Sequence, residues 1–98
     1  MNLKFKKAHL VNAQEMKKQH PETFCAPSDD DLRNIEPGDF VKVSVMGERF
    51  WVEVETISPE AVTGRIDNDL VCTADHGLIL NDRLHINKEC IYNILFND

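Results

Sequence analysis

Apolar residues recur at alternate positions through Val41, Val43 and Val45, then through Phe50, Val52 and Val54, with Gly47-Glu48 between the two runs. A period of two is the mark of a β-strand with one buried face. Two such runs joined by a short Gly-containing link predict a hairpin. Glycine at the first of two loop positions suits a type II′ turn, which would make Met46 and Arg49 the closing pair. Counting outward sets Val45 opposite Phe50, Val43 opposite Val52 and Val41 opposite Val54, so one face is uniformly apolar. The other face would pair Ser44 with Trp51, Lys42 with Glu53 and Phe40 with Glu55. Pro37-Gly38 before the first strand fits a type II turn. Ser58-Pro59-Glu60 then ends the second strand and leads into a third over residues 61–67, on which Val62 and Ile66 share a face.

The flanking segments carry weaker signals. Leu3 and Phe5, separated by lysines, predict a short edge strand or arm. Asn12 with Glu15 has the form of a capping box, so a short helix is expected from Ala13 until His20, which Pro21 pushes out of the α region. Ser28 followed by three aspartates is a second helix start, since the hydroxyl can cap and the carboxylates complement the dipole. Leu32 and Ile35 would then face the core, and Phe24 would anchor the connector. After the turn at Asp67-Asn68-Asp69, residues 73–80 are expected as a loop packed down by Leu78, Ile79 and Leu80. Asn81-Asp82 turns into a fourth strand carrying Leu84 and Ile86, and Ile91, Ile94 and Leu95 close the chain as a fifth strand or a helical turn. The expected fold is mainly β with short N-terminal helices. It would be either a small SH3-like, partly open barrel or an α+β antiparallel sheet of about five strands. Residues 1–37 would form a helical segment packed on a β-rich domain of residues 38–98, one globular unit overall.

Composition narrows the class. At 98 residues, with 42% hydrophobic and 29% charged residues, the chain suits one ordinary globular domain. The apolar runs are too short for a membrane span, and the apolar part of MNLKFKKAHLV is too short for a signal-peptide core, so a cytoplasmic address is expected. The net charge of −6 conceals a basic start, with five lysines against Glu15 and Glu22 in residues 1–22. An acidic body argues against nucleic acid as partner, because phosphate is bound through Lys and Arg. Cys25, Cys72 and Cys90 are odd in number and widely spaced, which predicts buried reduced thiols rather than a disulfide framework.

Three constellations could carry chemistry. Phe40, Met46, Arg49 and Trp51 share the second hairpin face, and aromatic and Arg side chains are the usual material of binding hot spots. Large apolar residues on both faces of a sheet predict cover on both, so the N-terminal helices would bury Trp51; uncovered, the face would be a recognition surface. Asp67, Asn68, Asp69, Cys72, Asp75 and His76 offer oxygen, sulfur and nitrogen ligands. Asp67, Asp69, Cys72 and His76 form the candidate metal set, although Asx turns explain the same residues. A thiol with one of the four histidines could act as a nucleophile, but no spacing places a base beside it.

Gly38-Asp39-Phe40-Val41-Lys42-Val43, Gly47-Glu48-Arg49-Phe50-Trp51-Val52, Thr63-Gly64-Arg65-Ile66-Asp67-Asn68-Asp69 and the Asn81-Asp82 turn resemble the YegJ-like group of uncharacterised bacterial domains, over about residues 36–95. The resemblance implies a small β-rich domain of bacterial or phage origin and carries no catalytic residue with it. The resulting expectation is a non-enzymatic protein- or peptide-interaction module without a cofactor. Its partner would be a protein, a peptide or a second copy joined through an edge strand. The alternative is a small metal-dependent or hydrolase-like enzyme centred on the loop from Asp67 to His76.

Overall fold

The computed structural model describes residues 9–70 and 77–97. The expected arm at Leu3 and Phe5, and Cys72, Asp75 and His76, lie outside them. The elements run α1 (Ala13–Gln19), α2 (Asp29–Arg33), β1 (Phe40–Val45), β2 (Glu48–Ile57), β3 (Ala61–Ile66) and β4 (Arg83–Asn87). A 3-10 turn (Lys88–Cys90) and β5 (Asn93–Leu95) follow. The chain end is thus both a helical turn and a strand.

All five strands form one antiparallel sheet in the order β4-β3-β2-β1-β5. Four consecutive strands make a meander, and β5 returns to the far side of β1. The sheet does not close into a barrel: β4 and β5 end as its two edges. Of the two expected architectures, the chain takes the α+β antiparallel sheet.

The caps act as the side-chain chemistry dictates. Asn12 Oδ1 accepts from the Glu15 amide at 3.0 Å, and Ser28 Oγ accepts from the Asp31 amide at 3.1 Å. Leu32 and Ile35, together with Val41, Val43, Val45, Phe50, Val52, Val54, Val62, Ile66, Leu84, Ile86 and Ile91, form the core on one face of the sheet. The N-terminal segment therefore packs on the inner face. Asp39 is buried beneath it at 4% exposure, and its carboxylate accepts from the amides of Glu36 and Asn97, both at 2.8 Å.

The hairpin departs from the expected register. Val45 faces Glu48, Val43 faces Phe50 and Val41 faces Val52, so the loop is Met46-Gly47 rather than Gly47-Glu48. Both loop residues take positive φ, 46° at Met46 and 83° at Gly47, the type I′ arrangement whose twist matches that of the flanking strands. The shift moves each partner by two residues. Every side chain therefore keeps its face, and only the cross-strand neighbours change.

On the other side of β2, the register slips between Val54 and Thr56, a bulge at Glu55 that aims its carboxylate at Arg83, 3.0 Å away. Gly64 sits beside this bulge. A Cβ there would meet the Glu53 carbonyl oxygen and lie 2.6 Å from Val52 Cγ1, so the close approach of β2 and β3 requires glycine.

Candidate functional site

The outer face of β1 and β2 gathers four cationic and aromatic side chains, and the register explains why. The Val54 amide bonds the Asp39 carbonyl, which makes Asp39/Val54, Val41/Val52 and Val43/Phe50 the hydrogen-bonded pairs of this ladder. Lys42 and Trp51 then form a non-hydrogen-bonded pair, the kind that brings opposed side chains closest. Lys42 Nζ lies 5.4 Å from the Trp51 ring centre and 5.9 Å from that of Tyr92. Arg49 Cζ lies 5.4 Å from the Tyr92 ring centre. At these distances a cation is attracted by the ring quadrupole.

Tyr92 reaches the cluster because the chain, leaving the 3-10 turn, is tied to β1 by a bond from the Tyr92 amide to the Lys42 carbonyl at 3.1 Å. Its ring also meets Phe24, with centroids 6.1 Å apart, so Phe24 does anchor its connector. The Tyr92 hydroxyl is buried without a hydrogen-bond partner among the described residues. Burial raises the phenol pKa against the opposing pull of Arg49. A cleft of about 170 Å³, lined in part by Cys25, Pro27, Tyr92, Ile94 and Phe96, opens beside this ring.

Among the expected binding residues, Trp51 and Phe40 are half-buried, and Arg49 is exposed on the Tyr92 ring. Met46 is 63% exposed in the turn. Phe40 faces Leu95 of β5 across the sheet, and Leu95 is 57% exposed. The apolar surface thus continues toward one edge. The expected Lys42–Glu53 pair does not form, because the type I′ register sets Glu53 opposite Phe40. Glu53 instead holds Arg65 directly across β2 and β3 at 2.7 Å.

Asp67 and Asp69 are both exposed. Asp67 lies 3.7 Å from the Arg65 guanidinium, and Asp69 forms no ion pair among the described residues. Among the described residues no three His, Cys, Asp or Glu side chains converge on a common point; Cys72 and His76 lie outside those residues. The turn contributes to the other cluster instead. The Trp51 amide donates to Asn68 Oδ1 at 2.5 Å, and the Asp67 amide donates to the Trp51 carbonyl at 3.0 Å, so this turn clamps the backbone of the central aromatic.

The thiols differ from the expectation. Cys25 is exposed on the connector, and Cys90 is partly buried, its pKa raised by burial and by the neighbouring charge of Glu89. Lys42 and Tyr92 are the members of the cluster that sequence reasoning missed. A type I′ loop at Met46-Gly47 would have placed Lys42 opposite Trp51, whereas nothing periodic marks Tyr92.

No family profile, curated protein or solved structure matches this chain, so none identifies the YegJ-like group. No helix among the described residues is long and apolar enough to cross a membrane.

Proposed function

We propose that this protein is a non-enzymatic interaction module that holds an acidic segment of a partner protein or peptide against the outer face of β1 and β2. Lys42 and Arg49 would meet its carboxylates, and Trp51, Tyr92 and Phe40 would pack its apolar side chains. One observation carries the reading. In a chain of net charge −6, Lys42 and Arg49 lie against aromatic rings and make no ion pair among the described residues. Cations held at fixed positions on rigid rings cost little ordering entropy on binding, and their charge complements an anionic partner. Placement on adjacent strands makes the site rigid, as recognition surfaces on sheets tend to be.

The strand order, with a 3-10 turn before a last strand that returns to the first, supports reading the open sheet as an SH3-like arrangement that has not closed; a bacterial origin rests on the sequence resemblance alone, and a cytoplasmic address on the short apolar runs of the sequence. The single tryptophan reports on the site directly. A peptide alternating Glu and Phe, titrated into the protein, is expected to shift and saturate the Trp51 emission. Lys42→Ala with Arg49→Ala should abolish that change, and a Lys/Phe peptide should not produce it. An unchanged emission with the acidic peptide, or equal binding of the basic one, would refute the reading.

A further inference from the structure

The edge formed by β4 has a geometry that complements itself. The Ile66 amide bonds the Asp82 carbonyl at 2.8 Å, and the Lys88 amide bonds the Glu60 carbonyl at 2.9 Å. In an antiparallel ladder, hydrogen-bonded pairs alternate with open ones. Ile66/Asp82, Gly64/Leu84, Val62/Ile86 and Glu60/Lys88 are therefore the bonded pairs of β3 with β4. The amides and carbonyls of Arg83, His85 and Asn87 consequently point away from β3. Among the described residues no other strand pairs with β4, which leaves a row of three donors and three acceptors along an edge five residues long. The opposite edge is less open: β5 has three residues, and the Ile94 amide is taken by the Asn93 side chain at 2.9 Å.

From this edge we infer that β4 pairs antiparallel with β4 of a second copy about a two-fold axis through His85, joining two sheets into one. This register sets His85 opposite His85, and Arg83 opposite Asn87 of the other copy. All three outward donors on each chain then meet an outward acceptor. Leu84 falls opposite Ile86 on the inner face, where both are already buried within their own chain, so the backbone bonds and the outward side chains carry the contact. Extending the register brings Lys88 opposite Asp82 at both ends, a pairing of opposite charges that a two-fold makes twice. Arg83 keeps its contact with Glu55 on its own chain and meets no cation across the axis. A shift of the axis by two residues along the strand, to Arg83, would set Arg83 opposite Arg83. Self-complementarity of this kind is what a two-fold interface requires, and an open strand edge is the template for it. The contact is short, five residues on each chain, so a reversible dimer rather than a permanent one is expected.

Sedimentation across a wide concentration range tests this on the full chain. The protein should show a monomer–dimer equilibrium, with the dimer at twice the 11.2 kDa chain mass. His85→Pro removes an outward donor that β3 does not use, so the variant should fold and dimerise roughly a hundredfold more weakly. His85→Thr, which keeps the amide, should dimerise like the wild type. If His85→Pro proves unfolded by circular dichroism, His85→Glu carries the same test, because it leaves the backbone intact and sets two carboxylates face to face. A wild type that stays monomeric to millimolar concentration, or a folded His85→Pro or His85→Glu variant that dimerises undiminished, would overturn the inference. Lys42→Ala should leave the dimer unchanged, which keeps this result separate from that of the peptide-binding face.

Discussion

Lys42 and Trp51 face each other across β1 and β2 as a non-hydrogen-bonded pair, with the ammonium 5.4 Å from the indole centre. The pairing depends on a loop of two residues with positive φ. A loop displaced by one residue would hand Lys42 to Glu53, neutralise it and leave Trp51 opposite Ser44. Turn geometry thus decides which charges the outer face presents.

Met46 occupies a left-handed conformation that side chains other than Asn and Gly adopt at a cost. Met46→Asn should therefore stabilise the protein by about 0.5–1 kcal/mol, as Asn-Gly is the preferred type I′ pair. Urea denaturation checks this. No gain would argue for a turn at Gly47-Glu48 instead.

Gly64 allows β2 and β3 to approach at the bulge. Gly64→Ala places a methyl group against backbone, which cannot rotate aside, and should cost about 1–3 kcal/mol by strain. A thermal melt reads the loss. A variant as stable as wild type would contradict the close approach.

Asp39 links the turn before β1 to the segment after β5 through two accepted amide bonds from beneath the surface. Asp39→Ala leaves both amides without their partner and should cost about 2–4 kcal/mol. Asp39→Asn keeps one acceptor oxygen and should cost less. Chemical denaturation of the two variants side by side tests this order.

Burial raises the pKa of Cys90 above its ordinary 9.0 and that of Tyr92 above its ordinary 10.0. Below those values both groups are protonated in the folded and unfolded chains, and stability is full. As pH climbs past them the unfolded chain ionises first, so stability should fall as the pH rises through and above those ordinary values. Tyr92→Phe and Cys90→Ala should each flatten that decline in urea midpoints measured across the range.

The strands were legible because a period of two survives any shift of register by two residues: Val41, Val43, Val45, Phe50, Val52 and Val54 are all buried, as the alternation requires. Both helix starts were legible because Asn12 and Ser28 act locally, three residues from their partners. Cross-strand partners were not, since Gly47 suits the second position of a type I′ turn as well as the first of a type II′. The Arg65–Glu53 pair depends on the register of β2 with β3, and the Arg83–Glu55 pair on the bulge. Tyr92 joins Lys42 from fifty residues away through a 3-10 turn and a three-residue strand, a tertiary relationship with no local signature. Cys25 was expected inside on residue type alone, but it lies exposed on the connector, beside Phe24, whose ring meets that of Tyr92.

Amide chemical-shift mapping with the acidic Glu/Phe peptide locates binding residue by residue on the outer face of β1 and β2. Saturable shifts are expected at Phe40, Lys42, Arg49, Trp51 and Tyr92 with their immediate neighbours, and they should be lost in the Lys42→Ala, Arg49→Ala variant. Saturable shifts centred elsewhere, or none at all on this face, would contradict the proposed binding face.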